Sequence, residues 1–152
     1  MENKSDIIEA TTQPESPFAK YEGSLKLGDS NVDCFVSDTG KRLVSMRATV
    51  RAIANVESGK LENYIGITAL NPFINLDEVL SEMIELNIPG NHFKAICLES
   101  NKFLDICRAY AAALSADTLS DKPSLTDRQR EIAIKCSILL SAMANVGLDA
   151  LI

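Results

Sequence analysis

The last stretch of the chain restricts the fold more than any other. Thr126 and Gln129 have the spacing of a capping box, and an uninterrupted helical pattern follows to about Val146-Gly147. Ile132, Cys136, Leu139, Leu140 and Met143 recur on one helical face, and Ile134 and Ile138 widen it. So broad an apolar arc calls for burial on more than one side. The helix is therefore expected to be central to its domain, or to meet another copy of the chain, with Leu139, Leu140 and Met143 as interface candidates. Lys135, Ser137, Ser141 and Asn145 interrupt "IAIKCSILLSAMANVGLDALI", which suits a helix buried in a water-soluble protein better than a membrane span.

The other end of the chain reads differently. Residues 1–19, "MENKSDIIEATTQPESPFA", are polar and proline-bearing and cannot repay the entropy of ordering. They are expected to be a disordered tail, with one α+β domain over residues 20–152. "EGSLKLGDSNVDCFVS" alternates in the manner of a β-hairpin, with turn residues from Gly28 to Asn31. Arg42-Leu43-Val44 is a candidate third strand. Ser45 has the place of an N-cap, Met46, Val50, Ile53 and Ala54 form a helical face behind it, and Asn55 suits a left-handed end. Over 56–74 the β-branched run "YIGITALNPFI" looks extended until Asn71-Pro72. Asn75 and Glu78 mark another helix start, with Val79, Leu80, Met83 and Ile84 as its apolar face. "FKAICL" has strand length, and Phe103, Cys107, Tyr110 and Leu114 repeat at helical spacing after it. These elements amount to a hairpin or three-stranded sheet packed with about four helices, the last long and central.

Recognised chemistry is sparse. The only histidine, His92, sits in the loop "PGNHF" with no catalytic signature around it. Cys34, Cys97, Cys107 and Cys136 match no metal-binding spacing, and each lies in an apolar run, as small buried residues in a reducing cytoplasm do. No glycine-rich phosphate loop is present. The expectation is a cytoplasmic, non-enzymatic protein with no cofactor, no metal, no small-molecule substrate and no membrane partner.

One local asymmetry stands out from a net charge of −6. Between Asp38 and Glu57 there is no carboxylate, and the gap holds Lys41, Arg42, Arg47 and Arg51. A turn followed by a helix start is a common way to present cations to phosphate, which makes these four residues candidates for nucleic-acid contact. The alternative is that they are the solvated side of a turn and an amphipathic helix.

"GSLKLGDSNVDCFVSDTGKRLVSMRATVRAI" resembles the opening of phage and prophage proteins that carry the so-called P-sixty-three C-terminal domain. Those proteins share a Gly-x-Leu-x-Ile/Leu-Gly-Asp hairpin, an acid-x-Gly turn, a basic residue and a short helix ending "RAL". "FLDICRAYAAAL" and the final "IAIKCSILLSAMANVGLDALI" are similar to two later stretches of the family, so the resemblance runs from about Gly23 to Ile152. Asn55 stands where the family helix usually has Gly, and Leu104 stands where it has Pro. The family usually continues with an acid-rich segment and its name-giving domain, whereas this sequence stops at Ile152. The resemblance implies a regulatory protein of a phage, prophage or mobile element in a bacterial cytoplasm, and by analogy with antirepressor-type proteins it implies contact with DNA. It supplies no catalytic residues. The alternative is a protein-interaction or homo-oligomerisation module that binds no nucleic acid.

Overall fold

The computed structural model describes residues 17–151, with side chains described as far as Asn145. Strands β1 (Ala19–Leu27), β2 (Ser30–Ser37) and β3 (Arg42–Ser45) form a meander. Helices α1 (Met46–Ala54), α2 (Glu62–Ile65) and α3 (Leu76–Ser81) follow, with a 3-10 turn at Thr68–Leu70. Strands β4 (Ile84–Asn87) and β5 (Lys94–Glu99) come next, then the long helices α4 (Ser100–Thr118) and α5 (Asp127–Leu151). All strand pairs are antiparallel, in the order β1-β2-β3-β5-β4, so the fold is α+β as expected.

Local signals explain most boundaries. Gly28 and Asp29 form the two-residue turn between β1 and β2, and Gly28 has φ +62°, which glycine adopts without penalty. The Ser45 side chain accepts from the Ala48 N–H at 3.0 Å to start α1, and Asn55 ends it with φ 56°. Thr126 and Gln129 form the reciprocal capping box at 3.0 and 3.1 Å. Asn75 caps α3 through the Glu78 N–H, whereas the Glu78 carboxylate turns away to Lys102.

Three regions depart from the sequence reading. The run over 56–74 is not extended: it folds into α2 and the 3-10 turn, because Ile65 and Leu70 there reach the main core. Ile84 does not continue α3; it begins β4, where it pairs with Cys97 of β5. The sheet therefore has five strands, not two or three. Finally, of the expected 1–19 tail, residues 1–16 lie outside the described residues, while Phe18 and Ala19 belong to the sheet.

The two faces of the sheet bury different things. Val32, Val44 and Leu98 face α1, α4 and α5 and join Ile53, Ile106, Tyr110, Ile132, Cys136 and Leu139 in the main core. Ala19, Leu43, Leu86 and Cys97 form a second cluster on the opposite face, with Phe35, Ile84, Ile88 and Ala95 packed against it. That second face is sheltered because the sheet curls until its edges meet at one end. Phe18 makes a parallel bridge to Asn87 of β4, and the Asn87 N–H donates to the Pro17 carbonyl at 2.9 Å. Asp38 holds the same segment to β2, donating its N–H to the Phe18 carbonyl at 2.9 Å and accepting the Phe18 N–H at 3.2 Å.

Polar side chains tie the helices together. The Tyr110 hydroxyl donates to the Tyr64 carbonyl, and burial raises its pKa well above the ordinary phenol range. The Arg128 guanidinium donates to the carbonyl of Ala54 at the end of α1, and so joins α5 to α1. Lys102 reaches Glu82 at 2.9 Å and Glu78 at 3.2 Å, linking α4 to α3. Asp117 accepts the Ser124 and Leu125 N–H groups and pairs with Arg130, closing the loop between α4 and α5.

Candidate functional site

Strand β3 separates the four cations of the basic stretch into two places. Lys41 and Arg42 are exposed at the turn between β2 and β3. Arg47 lies beyond the other end of β3, in the first turn of α1. Four strand residues span about 13 Å, so the turn pair and the helix pair do not make one patch. Arg47 and Arg51 share a helix face but differ in state. Arg51 is held by the chain's own acids, 3.8 Å from Asp33 and 3.5 Å from Glu57. Arg47 is exposed, and no ion pair among the described residues engages it.

Arg47 also borders a groove. The curled sheet is open at the end where β3 hands over to α1, and the opening is a groove of about 550 Å³. Asp33 and Phe35 of β2 form one wall, and Ser45, Met46 and Arg47 form the helix side. Asn91, Phe93 and Lys94, from the β4–β5 loop and the start of β5, form the other wall. Phe93 is 79% exposed, so the face of its ring is accessible from solvent. The groove thus carries two cations, Arg47 and Lys94, beside an accessible aromatic ring.

Its one acid is Asp33. The Arg51 guanidinium offsets that charge from behind, 3.8 Å away. Arg51 is therefore not a free ligand for phosphate. Its effect on the groove is indirect: it lowers the repulsion that Asp33 would exert on an anion. His92 lies in the same loop, between Asn91 and Phe93, and is exposed.

The interface candidates on the last helix are also divided. Leu139 is completely buried in the main core, whereas Leu140 and Met143 pack partly buried against it. Among the described residues of α5, the large apolar side chains left in solvent are Ile134 at 47% and Ile138 at 51% exposure. The face anticipated as an interface is thus mostly the face that seats α5 on α1 and α4, and the outward stripe is narrower.

No sequence motif marks Phe93 and Lys94; the one signal is an aromatic residue and a lysine adjoining just after a Pro-Gly-Asn turn. Their approach to Arg47 depends on a long-range arrangement. Cys97, Cys107 and Cys136 are buried, and Cys34 is partly so. Among the described residues, no group of three or more His, Cys, Asp or Glu side chains is gathered in a way that could hold a metal, and no helix is long and apolar enough to cross a membrane. No protein-family model, curated protein or solved structure matches this chain.

Proposed function

We propose that this is a non-enzymatic regulatory protein of a phage, prophage or mobile element, and that it contacts DNA through the groove at the open end of the sheet. The observation that carries the reading is the exposed Arg47, standing beside Lys94 and the exposed ring of Phe93. Cations bind backbone phosphate, and an accessible aromatic face stacks on an unpaired or splayed base. Lys41 and Arg42, one strand length away, are peripheral in this reading, and Arg51 acts by offsetting Asp33. The regulatory and mobile-element context rests on the sequence resemblance. Binding that rests mainly on Arg47 is weak and salt-sensitive, with log Kd rising against log salt at a slope of about 1.

The test is fluorescence anisotropy of labelled single- and double-stranded oligonucleotides at low salt. Binding that Arg47→Glu abolishes and Phe93→Ala weakens is expected. A folded wild type that leaves both probes unbound overturns the DNA reading.

A further inference from the structure

We propose that β1 is a self-complementary edge through which two copies of the chain join their sheets, antiparallel and centred on Ser24. The edge is open. Phe18 bridges to β4, but β1 itself pairs only with β2 among the described strands. Every residue from Lys20 to Lys26 is exposed, and nothing lies within 4 Å of where a Gly23 side chain would point.

The hairpin register decides which backbone groups face outward. Leu27 and Ser30 close a two-residue turn, so theirs is a hydrogen-bonded pair. Pairs alternate back along the ladder, and Leu25–Val32 and Gly23–Cys34 are bonded likewise. Glu22, Ser24 and Lys26 therefore turn their N–H and C=O groups away from β2, toward the free edge. Their side chains share one face, and Tyr21 and Leu25, 62% and 43% exposed, share the other.

Charge then selects the occupant and the register. A second β1 running antiparallel brings these outward groups together in only a few alignments. Centred on Gly23, it sets Lys20 against Lys26 of the other copy. Centred on Glu22, it sets the two glutamates against each other. Centred on Tyr21, it matches Glu22 with Lys20, but at the irregularity between Ala19 and Tyr21 and with Lys26 left beyond the partner strand. Centred on Leu25, it gives neither Glu22 nor Lys26 an opposite charge. Centred on Ser24, it places Glu22 opposite Lys26 twice, once on each side of the two-fold axis, with Ser24 facing Ser24. The same alignment sets Tyr21 against Leu27 and Leu25 against Gly23 on the apolar face. Opposite charges across strands stabilise and like charges oppose pairing, so the lysines that guard this edge against general strand addition admit this alignment. The contact is isologous, as a two-fold dimer requires.

Sedimentation of the full chain over a concentration series up to about 1 mM tests it. The wild type is expected to dimerise. Glu22→Lys or Lys26→Glu alone turns two attractive pairs into two repulsive ones and should weaken the dimer about tenfold or more. The double exchange Glu22→Lys/Lys26→Glu should restore it. Ser24→Pro removes an outward N–H, which an edge strand tolerates, and should give a monomer with unchanged circular dichroism and thermal midpoint. A wild type that stays monomeric at the top of the series overturns the proposal. So does a dimer indifferent to Ser24→Pro, or one that either single reversal leaves intact.

Discussion

Arg51 of α1 reaches back to within 3.8 Å of Asp33 on β2, so the cation and the groove's one acid act as a pair. Arg51→Ala is expected to leave the fold intact, at a cost of about 1 kcal/mol or less, as for other exposed ion pairs. It should weaken oligonucleotide binding about two- to fivefold by uncovering Asp33. Asp33→Asn on top of it should bring the affinity back. If Arg51→Ala abolishes binding and Asp33→Asn rescues nothing, Arg51 is itself a phosphate ligand.

Asp117 is the acid-sensitive lock of the helical layer. The Ser124 N–H, then Arg130 and the Leu125 N–H, hold its carboxyl below the ordinary carboxylate range, despite burial acting the other way. The folded state therefore binds this proton less readily than the unfolded chain does. Its stabilisation is complete above the ordinary carboxylate pKa, and it is lost as pH falls through the depressed folded value. Thermal midpoints measured from pH 7 to pH 2.5 should drop at the acid end, and Asp117→Asn should be less stable at pH 7 with a shallower acid drop. An identical acid slope in the variant would place the sensitivity elsewhere.

The two sides of α5 should respond unequally to truncation. Leu139→Ala empties a fully buried site and should cost about 2–5 kcal/mol in urea unfolding. Ile138→Ala, half exposed, should cost about 0.5 kcal/mol or less. A large cost at Ile138, joined to a concentration-dependent midpoint, would show a partner covering that face.

The thiols should divide by access. Burial pushes the Cys97 thiol up to about 11, and a hydrogen bond with Cys107, followed by burial, raises Cys136 well beyond the ordinary thiol range. Because the thiolate is the reactive form, native protein at pH 8 should give one accessible thiol, Cys34, and all four cysteines only after unfolding in urea. Rapid modification of Cys97 in the native state would contradict the buried inner cluster.

What was legible in the sequence was local. Ser45, Asn55, Thr126 and Gln129 act within a few residues of themselves, and their side chains do what the pattern implied. Strand β4 was hidden because Val79, Leu80, Met83 and Ile84 fit a helical period, while Ile84 and Leu86 fit a strand period equally well. The β5 partner decides between them. The short helices between Glu62 and Leu70 contradict their β-branched composition because the core claims Ile65 and Leu70. The groove could not be read because its walls come from β2, α1 and the β4–β5 loop. The grouping of cations by sequence proximity misled for the same reason: a strand intervenes between Arg42 and Arg47.

The Phe18–Asn87 bridge has a consequence for how the chain comes to be folded in the first place. During synthesis the opening hairpin can zip as soon as it clears the ribosome and β3 can join it, but β5, the second partner of β3, and β4, which Phe18 bridges, are made much later. Until β4 and β5 emerge, Leu43 and Ala19 have nothing to cover them. The nascent meander is thus a half-built shell, open to proteases and to wrong strand partners until β4 and β5 close one face and α4 and α5 cover the other.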